Sequence, residues 1–135
     1  MTAKTPLPDD ARCPCLSGLT YGECCGPLHR GERVAPTALA LMRSRYSAFA
    51  VHDGEYLSAT WHPRSRPDVI GLDTRERWYR LDIEETVGGG PLDSQGVVGF
   101  TAYHRSDDER GSLHERSGFV REQGRWWYVG RVQRG

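Results

Sequence analysis

Net charge, long apolar runs and cysteine outside one short window are all scarce in this 135-residue sequence. Lysine plus arginine and aspartate plus glutamate number 18 each, so no overall positive field draws the chain to nucleic acid or an anionic membrane. No stretch approaches the roughly 20 apolar residues of a membrane span, and the opening "MTAKTPLPDD" lacks the apolar core of a signal peptide. These absences predict a cytoplasmic protein that does not enter a membrane, in a compartment where thiols stay reduced. Nucleophile-elbow, phosphate-loop and HExxH patterns are missing too, which leans the reading away from an enzyme. What is present, 37% hydrophobic residues, suits one modest core with a small appendage.

The cysteines Cys13, Cys15, Cys24 and Cys25 all fall within "RCPCLSGLTYGECCG". Disulfides fit poorly: Cys13 and Cys15 are too close to pair comfortably, a bridge between adjacent Cys24 and Cys25 is strained, and a reducing compartment disfavours cross-pairing. Four thiolates around one zinc ion fit better, with a redox pair as the remaining alternative. Gly18 and Gly22 let the chain turn back between the two halves, and Pro14 stiffens the first. Four cysteines leave no open position for water, so the zinc is expected to be structural and to supply the folding energy of its lobe.

"CPCLSGLTYGECC" resembles the SEC-C zinc motif, whose form is C-P-C-G-S-G followed by C-C or C-H, and which also occurs in the C-terminal tail of the SecA translocase. The resemblance implies Cys13, Cys15, Cys24 and Cys25 as ligands, with His29 in "GPLHRG" as a competing fourth. Leu16 stands where the motif has glycine.

Beyond the lobe, "PTALALMRSRYSAFAVH" predicts a helix capped by Thr37, with Leu39, Met42, Tyr46, Phe49 and Ala50 at helical spacing. A second helix is expected from about Asp53 to His62, where Pro63 disfavours continuation. From Trp78 the texture changes to β-branched and aromatic strands, "RWYRLDIEETV", "GVVGFTAYHR", "SLHERSGFVRE" and "RWWYVGRVQ", broken by "GGGP", "DDERG" and "QG". Short polar breaks between consecutive strands predict antiparallel hairpins. The fold class is therefore α+β: helices packed on a curved antiparallel sheet, the layout of the cone-shaped fold of nuclear transport factor two and ketosteroid isomerase. Residues 1–33 are expected to form the zinc-binding lobe and 34–135 the cone-shaped domain, as separate units of stability.

"VAPTALALMRSRYSAFAVHDGEYLSATWHP" and "ERSGFVREQGRWWYV" are similar to the YchJ-like family, with its L-M-R-S-R-Y-x-A-F helix, T-W-H-P helix end and E-R-S-x-F strand. The resemblance implies the same cone-shaped central domain after an N-terminal SEC-C motif. Many members carry a second SEC-C motif after that domain. None follows "GRVQRG" here, so functions needing two zinc lobes are not expected.

Function is then a matter of the site, because this fold hosts enzymes and binding modules alike. Centring the first helix's apolar stripe on Leu39 puts Arg43 at its edge and Arg45 further round, and alternation in "SLHERSGF" turns Glu115 and Ser117 the same way as Leu113 and Phe119. An Arg43–Glu115 contact is expected. Arg43, Tyr46, Trp61, His62, Glu115, Ser117 and Trp127 are the candidate pocket residues, with Glu115 or His62 as the general base if the domain is an isomerase, hydratase or hydrolase. The rival expectation, preferred from sequence, is an adaptor. The zinc lobe would present a rigid surface to a protein partner, and the basic "LHRGERV" and "HPRSRP" leave RNA or the ribosome open as partners. A closed apolar cone favours the adaptor; a solvent-connected cavity with Glu115 in it favours a small-ligand binder.

Overall fold

A computed structural model of the chain describes residues 5–73 and 75–132. A short 3-10 turn (Tyr21–Glu23) leads into α1 (Cys25–His29), followed by α2 (Ala38–Ala50) and α3 (Gly54–Ala59). Four strands complete the fold: β1 (Arg77–Gly88), β2 (Gln95–Ser106), β3 (Glu109–Glu122) and β4 (Arg125–Arg131). They form one sheet in the order β1-β2-β3-β4, every pair antiparallel. Gln133, the last residue of the expected final strand, lies outside the described residues.

Thr37 caps α2 as its sequence predicts, accepting the Ala40 amide at 3.0 Å, and Asp53 caps α3 by accepting the Tyr56 amide at 3.1 Å. The hairpin turns fall on the expected polar breaks. Asp107 turns β2 into β3, and Gln123 with Gly124, at φ 56° and 77°, turns β3 into β4. Register shifts at Trp78/Arg80, Ile83/Glu85 and Gly118/Phe119 are bulges that raise the local twist and curl the sheet over α2.

Two expectations need correction. The second helix stops at Ala59 rather than His62. Its carbonyls are taken early: the Thr60 hydroxyl donates to Tyr56 O at 2.8 Å and the Arg45 guanidinium to Leu57 O at 2.8 Å. The freed segment pairs with β4 instead, Trp61 bridging to Tyr128 and the His62 amide donating to the Tyr128 carbonyl at 2.7 Å.

The buried stripe of α2 is also not centred on Leu39, which is half-buried. Leu41, Met42, Ser44, Arg45, Tyr46, Ser47 and Ala48 are the buried positions. The helix is covered on two sides: the sheet takes Met42, Arg45 and Tyr46, and the cysteine lobe takes the small Ser44 and Ser47. Cys13, Cys15, Tyr21 and Cys25 accordingly belong to the same buried cluster as Leu41, Val98 and Phe119, so no solvent layer separates the lobe from the cone.

Candidate metal centre and the cavity of the cone

The sulfurs of Cys13, Cys15, Cys24 and Cys25 all lie within 4.8 Å of one another, and none is in a disulfide. Cys15 and Cys24 are 3.5 Å apart and Cys24 and Cys25 3.8 Å. A tetrahedron of thiolates at about 2.3 Å from zinc has edges of about 3.8 Å, so the four residues fit such an ion. The close sulfurs bias one another strongly. Cys15 is held far below the ordinary thiol range by hydrogen bonds from Cys13 and Cys25, whereas Cys25 is pushed far up by its hydrogen bonds with Cys13 and Cys15. Burial pushes Cys24 up to about 11.

Side chains around the sulfurs orient them. Ser47, fully buried on α2, donates to Cys25 Sγ at 3.3 Å and lies 3.6 Å from Cys13 Sγ, and Ser17 lies 3.2 Å from Cys24 Sγ. Leu16 adopts φ 64°, the left-handed region glycine favours, with its side chain turned half out to solvent. The turn thus survives the substitution, at a backbone strain of about 1–2 kcal/mol. His29 is engaged elsewhere: its Nε2 donates to the Ser44 carbonyl at 2.8 Å and its Nδ1 accepts the Tyr21 hydroxyl at 2.6 Å.

On the other side of α2 the sheet encloses a cavity of about 220 Å³. Met42, Arg45, Tyr46 and Phe49 line it from α2, at the i, i+3, i+4, i+7 positions of one helical face. Trp61, Trp78, Phe100, Leu113, Glu115, Ser117, Phe119 and Tyr128 supply most of the rest. Leu113 is exposed and Phe49 and Trp78 are half-buried, so the cavity communicates with solvent.

Its polar chemistry centres on one cation and one carboxylate. Arg45 donates from Nη1 to Leu57 O and to Thr60 Oγ1 at 2.6 Å, and its guanidinium lies 4.3 Å from the Tyr128 ring centroid and 5.4 Å from that of Trp61. Burial pulls it down to about 10, against the opposing influence of Tyr128, Tyr56 and Glu115, so it remains charged at neutral pH. Glu115 Oε2 accepts both the Ser117 hydroxyl and the Tyr128 hydroxyl, the latter at 2.9 Å, and Arg131 reaches within 3.6 Å of Oε1. Burial, and then Glu115, push the Tyr128 phenol up.

Of the seven pocket residues expected from sequence, the cavity wall contains Tyr46, Trp61, Glu115 and Ser117. Arg43 is turned toward the cysteine lobe, where it donates to the Cys15 carbonyl at 2.8 Å, so the expected Arg43–Glu115 contact is absent. The cation in the cavity wall is Arg45 instead. The cation could have been found by testing the 42-45-46-49 spacing, which is as apolar as the Leu39 stripe except for Arg45. His62 and Trp127 lie outside the wall: His62 Nε2 meets Glu122 at 2.9 Å with Trp127 edge-on at 5.7 Å. Alternation in β4 explains this, since Trp126 and Tyr128 point inward and Trp127 therefore points out.

Comparison with known proteins accords with both parts. Residues 37–130 match the family model described as YchJ, middle NTF2-like domain, and residues 11–27 match the SEC-C motif. The chain belongs to the YchJ family. Relatives of this chain include UPF0225 proteins of Corynebacterium glutamicum, 55% identical over 87% of this chain and 93% of that protein, and of Streptomyces coelicolor, 49% identical over 87% and 91%. A SEC-C motif containing protein from Rhodopseudomonas palustris, solved in solution, superposes with a TM-score of 0.77 at 35% identity, covering 91% of this chain and 98% of that one. A second, from Psychrobacter arcticus, gives 0.74 at 26% identity over 94% and 86%. Among the described residues, no helix is long and apolar enough to cross a membrane.

Proposed function

We propose that this protein is a small-ligand-binding domain whose cone is buttressed by a structural zinc ion. The observation that carries the reading is the solvent-connected cavity of about 220 Å³ with Glu115 and Arg45 in its wall. Zinc is favoured at the cysteines because a closed tetrahedral set of four thiolates suits it and leaves no position for a reacting water. Reduced thiolates also suit a reducing compartment such as the cytoplasm. Binding is favoured over catalysis because the Ser117 and Tyr128 hydroxyls both donate to Glu115 Oε2, occupying lone pairs that a general base would use. A fragment screen on the zinc-loaded protein, read by the indole N–H signals of Trp61 and Trp78, tests this. Ligands are expected to move those signals and leave Trp127 still, and a screen with no such response at millimolar concentrations would overturn it.

One observation favours a second reading. Leu16 and Leu19 are half-exposed at the tip of the cysteine lobe, a small apolar surface of the kind that docks on a protein partner. In that adaptor reading, with a protein, RNA or ribosomal partner, Leu16→Ser with Leu19→Ser abolishes capture of the partner without affecting the cavity.

A further inference from the structure

The polar groups of the cone's cavity converge on one carboxylate. The Ser117 and Tyr128 hydroxyls both donate to Glu115 Oε2, which leaves these hydroxyls only their oxygen lone pairs to offer a further molecule. Glu115 Oε1 accepts no hydrogen bond among the described residues: the Arg131 guanidinium stands 3.6 Å away, too far for one, on a side chain that is mostly in solvent. Glu115 keeps 14% of its side chain exposed and lines the cavity, so a molecule there meets a carboxylate with an acceptor unspent.

Donors are not open in the same way. Arg45 is only 6% exposed, with Nη1 spent on Leu57 O and Thr60 Oγ1 and its guanidinium against the Tyr128 and Trp61 rings. The Tyr46 hydroxyl and Trp61 Nε1 are buried within the wall. What the wall offers a ligand is therefore acceptor capacity, at Glu115 and at the two hydroxyl oxygens beside it. Charge narrows the class further. Glu115 repels an anion, while Arg45 repels a cation through a poorly hydrated wall and Arg131 already offsets part of the carboxylate's charge. The remaining surface is apolar and aromatic, chiefly Met42, Phe49, Trp78, Phe100 and Phe119. The volume of about 220 Å³ falls below the roughly 300–1,000 Å³ of pockets for drug-sized ligands, which limits the occupant to one or two rings.

We infer that the cone takes a compact, uncharged aromatic molecule bearing a hydroxyl or N–H group, which donates to Glu115 Oε1. The inference rests on the cavity being a binding site at all. Three probes of similar shape separate the two ideas: p-cresol, p-xylene and the cationic 4-methylbenzylamine, titrated into the zinc-loaded full chain and followed by chemical shifts. p-Cresol should bind about tenfold more tightly than p-xylene, since tenfold corresponds to about 1.4 kcal/mol, a modest value for a hydrogen bond to a charged acceptor. The amine should bind more weakly than p-cresol. The Glu115 carboxyl carbon signal, assigned from its loss in Glu115→Gln, should move with p-cresol and hold still with p-xylene.

Glu115→Gln also tests the anchor directly. Its one amide oxygen is claimed by the Ser117 and Tyr128 hydroxyls, which turns the NH₂ toward the position of Oε1 and puts a neutral donor where the charged acceptor stood. The preference for p-cresol should fall to about threefold, because charge-assisted hydrogen bonds are roughly twice as strong as neutral ones. A preference that stays tenfold in this variant overturns Glu115 as the anchor, and the wild-type comparison stands even if the variant fails to fold. Equal binding of p-cresol and p-xylene to the wild type overturns the donor inference while leaving the binding cavity intact, and tightest binding by the amine overturns the uncharged class. No response to any probe overturns both.

Discussion

The two sides of α2 solve opposite problems. On the lobe side every prominent polar atom closes on another: the sulfurs on each other and on Ser47, His29 between Tyr21 and Ser44, Arg43 on the Cys15 carbonyl. On the cone side, Arg45 and Glu115 stand in the wall of a solvent-connected cavity whose remaining surface is largely apolar and aromatic. Satisfied polar groups rigidify and specify, whereas an accessible concave surface with a few polar groups is the form that small-molecule sites take. The proposed function builds on that contrast, with architecture in the lobe, recognition in the cone and one helix serving both.

The largest test of that contrast is removal of the metal. Binding a structural zinc contributes on the order of 10 kcal/mol to folding, and a whole domain is stable by only about 5–15 kcal/mol. Because Cys13, Cys15 and Cys25 share a buried cluster with Leu41 and Val98, chelation or Cys25→Ser should take the cone down with the lobe. Circular dichroism and aromatic fluorescence should then report one common, lowered transition. Two separate transitions, with the cone unmoved, would show that the lobe is an independent unit, as the sequence alone suggests.

Next in size is Arg45→Met. It removes a buried cation that donates to the Leu57 carbonyl and the Thr60 hydroxyl, and losing hydrogen bonds to a charged group there costs about 3 kcal/mol. Arg43→Met, which loses one hydrogen bond to the Cys15 carbonyl, should cost about 1 kcal/mol. The urea midpoints of the two variants compare the sides of the helix directly, and equal losses would dissolve the distinction.

Why the sequence disclosed one side better than the other follows from range. The cysteine spacing is local, so the four clustered cysteines, the capping residues Thr37 and Asp53 and the two tight hairpins are legible before any tertiary contact is known. The inward set of β3 is legible too, because period-two alternation carries Leu113, Glu115, Ser117 and Phe119 together. The facing of α2 is not local. Ser44 and Ser47 look like surface residues until the lobe is seen to cover them, and that misreading rotates the stripe and exchanges Arg43 for Arg45. The end of α3 depends on the same arginine reaching across to Leu57, 12 positions away, which no pattern within residues 53–62 announces.

A smaller effect is expected at Ser47, the residue that joins the two sides. Its hydroxyl lies against the Cys13 and Cys25 sulfurs while its neighbour Tyr46 lines the cavity. Ser47→Ala should lower zinc affinity about tenfold, as loss of a hydrogen bond to a ligand commonly does, with little change in fold. Competition against a chromogenic chelator measures this, and unchanged affinity would mean that Ser47 merely fills space.

The smallest effect belongs to the clasp of His62 and Glu122: His62, expected from sequence to line the cavity, instead ties the Trp61 segment to the end of β3. His62 holds the Glu122 carboxyl below its usual range, chiefly by hydrogen bonding. A lowered carboxyl favours the folded state above its unfolded titration and loses that contribution as pH falls through the lowered value. Any contribution is therefore present at neutral pH and fades only in acid. The carboxylate is exposed, so solvent and salt screen it, and Glu122→Gln should leave the neutral-pH melting temperature, the metal content and the response of the Trp61 indole signal to cavity ligands all unchanged. Only the acid limb of a pH–stability curve should move, and slightly. If the Trp61 response to cavity ligands were lost with that substitution, His62 would have to be returned to the cavity and the boundary between the clasp and the cone redrawn.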